Sequence, residues 1–243
     1  MKTLKNIHSL PRAISKLGYC SRLQALQLTL AGRVKVNSKI CRDPHRRVDL
    51  SKDKIEIDNQ VIQPAEKIYI ALNKPRGLVT TLNDEKNRET VYKCFENKIH
   101  NYIFPVGRLD IASEGLLLFT NDTDFAEKIL NPENHIEKTY HVQINKKLDD
   151  TIIDLIRKGV KDKDGEILPV KSIKILRIGQ KNCWVEIVLD EGKNRHIRRI
   201  FESLGIEVLR LIRTAIGNLE LGDLKKGEFR FLNENDLKRI FAR

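Results

Sequence analysis

Residues 107–122, GRLDIASEGLLLFTND, pass from a charged, turn-like beginning into four consecutive apolar residues, Leu116–Phe119. A short apolar run bounded by turn signals reads as a buried strand. The stretch therefore announces a sheet and sets Asp110 at its mouth. An aspartate in that place has two ordinary explanations: its side-chain acceptor shapes the turn, or it pairs with a nearby arginine. A third, a carboxylate kept for chemistry, depends on what the rest of the chain brings to it.

The chain has 243 residues, 40% of them hydrophobic, enough to bury the core of one large domain or two unequal ones. No apolar run approaches the roughly 20 residues that span a bilayer, and Met1–Leu10 lacks the apolar region of a signal peptide. A cytoplasmic protein without membrane association is expected. Cys20, Cys41, Cys94 and Cys183 are scattered without CxxC or Cys/His spacing, so neither a zinc site nor a disulfide framework is expected. Residues 161–166, KDKDGE, lack the longer ligand series of a calcium loop and read as a polar turn bending at Gly165. No metal is assigned. The formal charge of +12 favours a polyanionic partner, because neutralised phosphates release condensed counterions. Residues 1–64 hold 13 basic and 5 acidic residues, against 32 and 28 in the remainder, so the amino-terminal quarter reads as a binding module.

Within that quarter, Pro11 starts a short helix, RAISKLG, which Gly18 closes in the left-handed conformation. Ser21 caps a second helix over 22–31, with Leu23, Leu26 and Leu30 on one apolar stripe. RVKVNSKI enters a turn at Asn37-Ser38, and KIEIDNQVI reads as another hairpin. Gln63-Pro64 is the expected boundary, since proline blocks ladder bonding and holds its predecessor extended. Residues 1–64 and 65–243 are thus expected as two domains. The second alternates strands (KIYIALNK, GLVTTL, GLLLFT, TYHVQI, SIKILRI, CWVEIVLD) with helices (TDFAEKIL, DDTIIDLIRKG, RHIRRIFESLG), the pattern of an α+β sheet domain.

The helix over 195–204 puts Ile197, Ile200, Phe201 and Leu204 on one face. Arg199 points away from that face. Arg198 falls on its flank, where a buried stem can deliver the guanidinium to a cleft. Spacing leaves Arg198 two partners, a carboxylate in such a cleft or Glu202 one turn on. Tyr140, in a strand, carries a phenol able to stack on a base. His141 and His196 have no third partner at metal or triad spacing and read as structural or RNA-facing.

SKLGYCSRLQALQLTLAGRVKVNSKI, residues 15–40, resembles the S4-type RNA-binding domain. The resemblance implies that two helices and the following loop present Arg12, Lys16, Arg22, Arg33 and Lys35 to RNA. KPRGLVTT, GRLDIASEGLLLFTND, EKTYHV and EGKNRHIRRIF follow in this order, and together they resemble the RsuA-type family of bacterial ribosomal RNA pseudouridine synthases over nearly the whole chain. GRLD with SxGLLLxTND is the most specific of these motifs, and KPxG is weak by itself. The resemblance implies a small S4-like domain followed by a larger one with a mixed, mainly antiparallel sheet flanked by helices. It also implies Asp110 as the catalytic aspartate, Tyr140 as the aromatic residue against the target base, and Arg198 as the basic partner of the aspartate. Ile197 would line the pocket. Arg108 would hold the flipped nucleotide or fill the gap it leaves. The implied partner is ribosomal RNA, with GKNRHIRR more like the large-subunit branch; no cofactor is implied, and a monomer is the default. Thr123 and Asn87 stand where family members often have glycine, both in turns away from the proposed chemistry.

The reaction asks for a single ionised carboxylate. A guanidinium from Arg198 would favour that form, against apolar surroundings from Leu116, Leu118 and Ile197. Two rivals remain on sequence grounds. Asp110 and Glu114 stand four apart, a spacing compatible with a retaining hydrolase pair if helical, and a non-catalytic S4-type RNA-binding or ribosome-assembly protein would be indifferent to Asp110. For the amino-terminal segment the expectation is that deleting residues 1–64 weakens RNA binding and flattens its dependence on salt; a binding titration at several salt concentrations checks this, and an unchanged slope would remove the segment from RNA contact.

Overall fold

The computed structural model describes residues 6–96 and 98–242, so Met1–Lys5, Asn97 and Arg243 lie outside the described residues. The chain folds as two compact units. The first runs to Ile68 and takes in Ile99–Phe104 and Thr120–Phe125; the second comprises Tyr69–Lys98, Pro105–Phe119 and the chain from Ala126 onward. No helix among the described residues is long and apolar enough to cross a membrane.

The first unit begins with β1 (Ile7–Ser9), α1 (Leu10–Lys16), α2 (Arg22–Leu30), β2 (Val34–Val36), β3 (Lys39–Ile40), β4 (Arg47–Asp49), β5 (Ile55–Ile57) and β6 (Gln60–Val61). Pro11 lies in the first turn of α1. Ser21 caps α2 through a reciprocal pair, its hydroxyl accepting from Gln24 N at 3.1 Å and the Gln24 side chain accepting from Ser21 N at 3.0 Å. Asn37-Ser38 and Asp58-Asn59 take positive φ, as two-residue hairpin turns require. They join β2 to β3 and β5 to β6 in a sheet of order β3-β2-β5-β6.

The buried stripe of α2 differs from the expected one. Ala25 and Thr29 are fully buried, whereas Leu23 and Leu30 are 64% and 56% exposed. Small Ala13 and Ala25 share the core between α1 and α2. Thr29 tolerates burial because its hydroxyl donates to Ala25 O at 2.8 Å within its own helix. Leucine periodicity alone picked the wrong face.

The remaining strands and α-helices are β7 (Tyr69–Lys74), β8 (Phe104–Val106), β9 (Glu114–Thr120), α3 (Thr123–Leu130), β10 (Lys138–Ile144), α4 (Asp150–Lys158), β11 (Val160–Lys161), β12 (Ile167–Leu168), β13 (Ser172–Ile178), β14 (Cys183–Leu189), α5 (His196–Ser203), β15 (Val208–Ile216), β16 (Leu219–Glu220), β17 (Phe229–Phe231) and α6 (Glu234–Phe241). The main sheet has the order β13-β14-β10-β15-β9-β7-β17, with β16 on β15 and β8 on β9. β13–β14, β14–β10, β10–β15 and β7–β17 are antiparallel; β15–β9 is parallel. The α+β, mainly antiparallel architecture expected from the sequence is present.

GLVTTL does not form a strand. Val79 makes only an isolated bridge with Thr90, and the Thr80 hydroxyl donates to Leu109 O at 2.7 Å, so the segment serves as a brace for the Asp110 turn. The longest elements outside the sequence-derived pattern are α6 and β15, whose Arg210 and Arg213 interrupt its apolar alternation; the short strands β8, β11, β12, β16 and β17 lie outside it too.

Every residue of β9 is buried. Leu116, Leu117, Leu118 and Phe119 are inaccessible to solvent, worth about 1.5–3 kcal/mol each as an upper bound. Strands covered on both sides lose the alternation of half-exposed ones, which is why this stretch reads as a continuous apolar run. Gly115 carries the close approach to β15. Its φ is +101°, and a Cβ there would stand 2.2 Å from Arg213 O and 2.8 Å from Arg213 N. Gly115→Ala is expected to destabilise the fold by about 3 kcal/mol or more, combining overpacking and backbone strain; chemical denaturation of the two proteins measures it, and a loss below 1 kcal/mol, roughly the smallest cost of either effect, would mean that β9 and β15 can separate freely.

Candidate active site

Asp110 sits in the turn between β8 and β9, where Ser113 N donates to Asp110 O at 2.9 Å. The turn is tied down from behind by the KPRGLVTT segment. Lys74, at the end of β7 and wholly buried, donates from Nζ to Ser113 O (2.9 Å), Pro75 O (3.0 Å) and Asp110 O (3.3 Å). Gly77 N donates to Ile111 O at 2.8 Å, and Thr80 holds Leu109 O as described. Burial pushes the Lys74 ammonium down to about 8, against the pull of the Asp110 charge. Three carbonyls on one ammonium leave the turn little freedom.

Arg198 reaches the same turn from α5. It donates from Nη2 to Ala112 O at 3.2 Å, and its Nε lies 3.9 Å from Asp110 Oδ2. That separation is an ion pair without a hydrogen bond. Burial lowers the Arg198 pKa and Asp110 opposes the shift. Glu202, the other partner allowed by spacing, pairs with Arg195 instead. Arg199 leaves the apolar face of α5 as expected, and its guanidinium binds Asp162 and Glu166 of the KDKDGE turn. That turn is folded around Asp162 Oδ1, which accepts from Asp164 N at 3.0 Å and Glu166 N at 2.8 Å. Arg199 thus supplies the positive charge the acidic turn needs.

Asp110, Tyr140, Ile197 and Arg108 line one cavity of ≈ 340 Å³ with Leu189 and Leu211. Asp110 is the one carboxylate among its lining residues. The Asp110 side chain is 37% exposed, Arg198 is largely buried beside it, and Arg108 is exposed at the rim. Tyr140, half-buried on β10, rests against the core formed by β10, β14, β15 and α5. Leu116 and Leu118 do not line the cavity. They lie inside the sheet, and the apolar wall comes from Leu109, Leu189, Leu211 and Ile197.

Glu114 offers no second free carboxylate. It begins β9 rather than continuing a helix, and its carboxylate accepts from Arg210 at 3.0 and 3.1 Å and from Lys226 at 2.5 Å. Burial alone would push this carboxyl up, and the three donors bring it below its ordinary value. Such a group is committed to structure, which removes the hydrolase alternative.

A family model described as RNA pseudouridylate synthase matches residues 68–203, and one described as S4 domain matches residues 10–55. The ribosomal large subunit pseudouridine synthase B of Bacillus subtilis is 35% identical over 96% of this chain and 95% of its own length. The chain belongs to the RNA pseudouridylate synthase family. An uncharacterized RNA pseudouridine synthase of Aquifex aeolicus is 37% identical over 94% of this chain and 91% of its own length. A solved pseudouridylate synthase structure superposes with a TM-score of 0.67 at 28% identity, covering 96% of this chain and 99% of that one. The chain is therefore a pseudouridine synthase with an S4 domain, as the RsuA-type resemblance implied.

In this synthase the basic residues expected on the S4 surface are not equivalent. Lys16 pairs with Asp124, and Arg33 binds Asp58 with Nε at 2.8 Å. Arg12 and Arg22 are exposed and have no ion pair among the described residues, and Lys35 is half-buried. His141 binds Glu186 at 3.2 Å. His196 is buried, with its pKa lowered by that burial. No group of three or more potential metal ligands occurs among the described residues.

Sequence reasoning placed Lys74 at the end of the strand KIYIALNK and gave it no role, because KPxG was read as a weak motif. Its one signal is the apolar strand YIALN that carries it inward. Since the folded pKa of Lys74 lies below that of a free lysine (about 10.4), folding releases a proton between these values. The cost of burying its charge is fully present below pH 8 and is relieved as pH rises through that window, so stability increases there. Lys74→Met is expected to abolish that rise in the stability-versus-pH curve and, by loosening the Asp110 turn, to lower kcat on the order of 10²-fold with little change in KM; a variant with wild-type kcat would show that the turn holds itself.

Proposed function

We propose that this synthase isomerises a uridine of ribosomal RNA, of the large subunit, with Asp110 as its catalytic carboxylate. The observation that carries this reading is the convergence of Asp110, Tyr140 and Ile197 on one cavity with a lone carboxylate, backed by Arg198 at 3.9 Å. The reaction breaks the bond from uracil N1 to ribose C1′ and joins C1′ to C5; N1 gains a proton and C5 loses one, so no redox partner is needed. The base must leave its stack and turn over without escaping. Tyr140 and the apolar wall of Ile197, Leu189 and Leu211 give it a surface to turn against, and Arg108 at the rim meets the extruded nucleotide. Asp110 acts on C1′, on the 2′ proton or on C6; each route starts from the ionised form, whose charge Arg198 balances.

The ribosomal target rests on GKNRHIRR and on the named Bacillus relative. The division of labour follows the chain: residues 1–64, with Arg12, Lys16, Arg22, Arg33 and Lys35, grip RNA, and residues 65–243 catalyse. Lys16 and Arg33 do so only by exchanging their present carboxylate partners for phosphate. A monomer acting in the cytoplasm completes this reading.

Asp110→Asn is expected to bind RNA with nearly unchanged affinity and to yield no pseudouridine. Nucleoside analysis of treated RNA reads this, and normal product from the variant would overturn the assignment. Mapping pseudouridine in ribosomal RNA from cells lacking the gene locates the target; if every large-subunit site is retained, the subunit assignment fails.

A further inference from the structure

The central sheet has two unlike faces. Along β10, β14 and β15, Val142, Ile144, Val185, Ile187 and Leu211 are buried in the core on the side of the cavity. The residues between them, among them His141, Gln143, Trp184, Glu186 and Arg210, are half-exposed. Successive side chains of a strand point to opposite faces, so these residues occupy the side turned away from Tyr140.

Strand register arranges them in a row. Arg177 is opposite Trp184, Trp184 opposite Gln143, and Gln143 opposite Arg210. At strand spacings of about 4.8 Å the row crosses four strands in roughly 14 Å. The Arg210 guanidinium lies over the Trp184 ring, 5.6 Å from its centroid. A neighbouring row places Lys174 opposite Glu186 and Glu186 opposite His141. The cations of this region, Lys174, Arg177, Lys181, Arg210 and Lys226, outnumber its carboxylates, Glu114 and Glu186. Arg177 and Lys181, both exposed, have no ion pair among the described residues.

An aromatic ring flanked by arginines and an amide, in a region of net positive charge, is the equipment of a surface that holds single-stranded nucleic acid. Bases stack on the ring whatever their identity, and cations follow the backbone. A protein partner would need acidic groups matched to each of these positions, whereas a polyanion meets them all with one repeating charge. We propose that this face is a second RNA-binding surface, which holds a single-stranded segment of the substrate outside the catalytic cavity. The inference rests on RNA being the substrate and is independent of the role of Asp110. It gives the synthase a reason to prefer a long RNA over the isolated target nucleotide, because the cavity and this face lie on opposite sides of the sheet.

Trp184 is the chain's one tryptophan, so its emission reports on this face alone. The full chain is titrated with a single-stranded oligouridylate, following indole emission and, in parallel, the anisotropy of the labelled RNA. Saturable quenching that tracks the anisotropy is expected. The double substitution Arg177→Glu, Lys181→Glu, at two exposed positions, is expected to weaken binding about tenfold and to reduce the slope of log affinity against log salt by about 1.4, which is roughly 0.7 for each single-strand phosphate that is no longer neutralised. Binding without any change in emission overturns the proposal, as does a double variant with wild-type affinity and slope. Isomerisation by the unmodified chain, measured separately, decides the catalytic reading and leaves this one untouched.

Discussion

The parallel contact between β9 and β15 is the constraint on which the geometry of the candidate site depends. At Gly115 the two backbones come so close that no side chain fits between them, and the Arg213 guanidinium reaches across to donate from Nε to Leu116 O at 2.7 Å. One register aligns three strands: Gly115 is opposite Arg213, and Arg213 is opposite Tyr140. Asp110 precedes Gly115 by one short turn. The same contact that joins the sheet therefore helps bring the carboxylate and the aromatic ring to the walls of one cavity.

The turn itself is a balance of buried charge. Lys74 is desolvated, which is costly for an ammonium, and three carbonyls of the chain around it offset that cost. Arg198 faces the same trade. Its stem is buried in α5, its Nη2 is satisfied by Ala112 O, and its charge is answered across 3.9 Å by Asp110. Because Asp110 is not hydrogen-bonded to Arg198, its carboxylate keeps lone pairs free toward the cavity. A tightly bidentate pair, such as Arg210 with Glu114 on the opposite face, holds its carboxylate in structure and leaves it unavailable. The difference between a carboxylate left open to the cavity and a structural one four residues away lies in this geometry.

The two faces of the sheet divide the work by chemistry. One is covered by α4 and α5 and closes the apolar wall against which a base can turn. The other keeps tryptophan, arginine and glutamine at the surface, and carries the proposed RNA contact. Alternation along three adjacent strands produces both faces from the same residues.

Much of this was legible in the chain. The buried run at Leu116–Phe119 declared a strand covered on both sides, the Ser21 and Gly18 punctuation declared two short helices, and the basic excess declared a polyanionic partner, because each depends on local sequence and on the chemistry of single side chains. The face of α2 was not legible. Ala25 and Thr29 are buried in place of Leu23 and Leu30, since the space left by α1 admits small residues and excludes large ones. Nor was the failure of GLVTTL to join the sheet; its Gly77 amide and Thr80 hydroxyl brace the Asp110 turn instead. Spacing gave Arg198 two equal partners, and the fold chose Asp110 by giving Glu202 to Arg195. The sequence by itself determined which residues must be buried and which motifs accompany one another. Only the tertiary structure decided which charges meet, because a pairing across 37 to 96 residues depends on distances that the packing of strands and helices sets and no local pattern encodes.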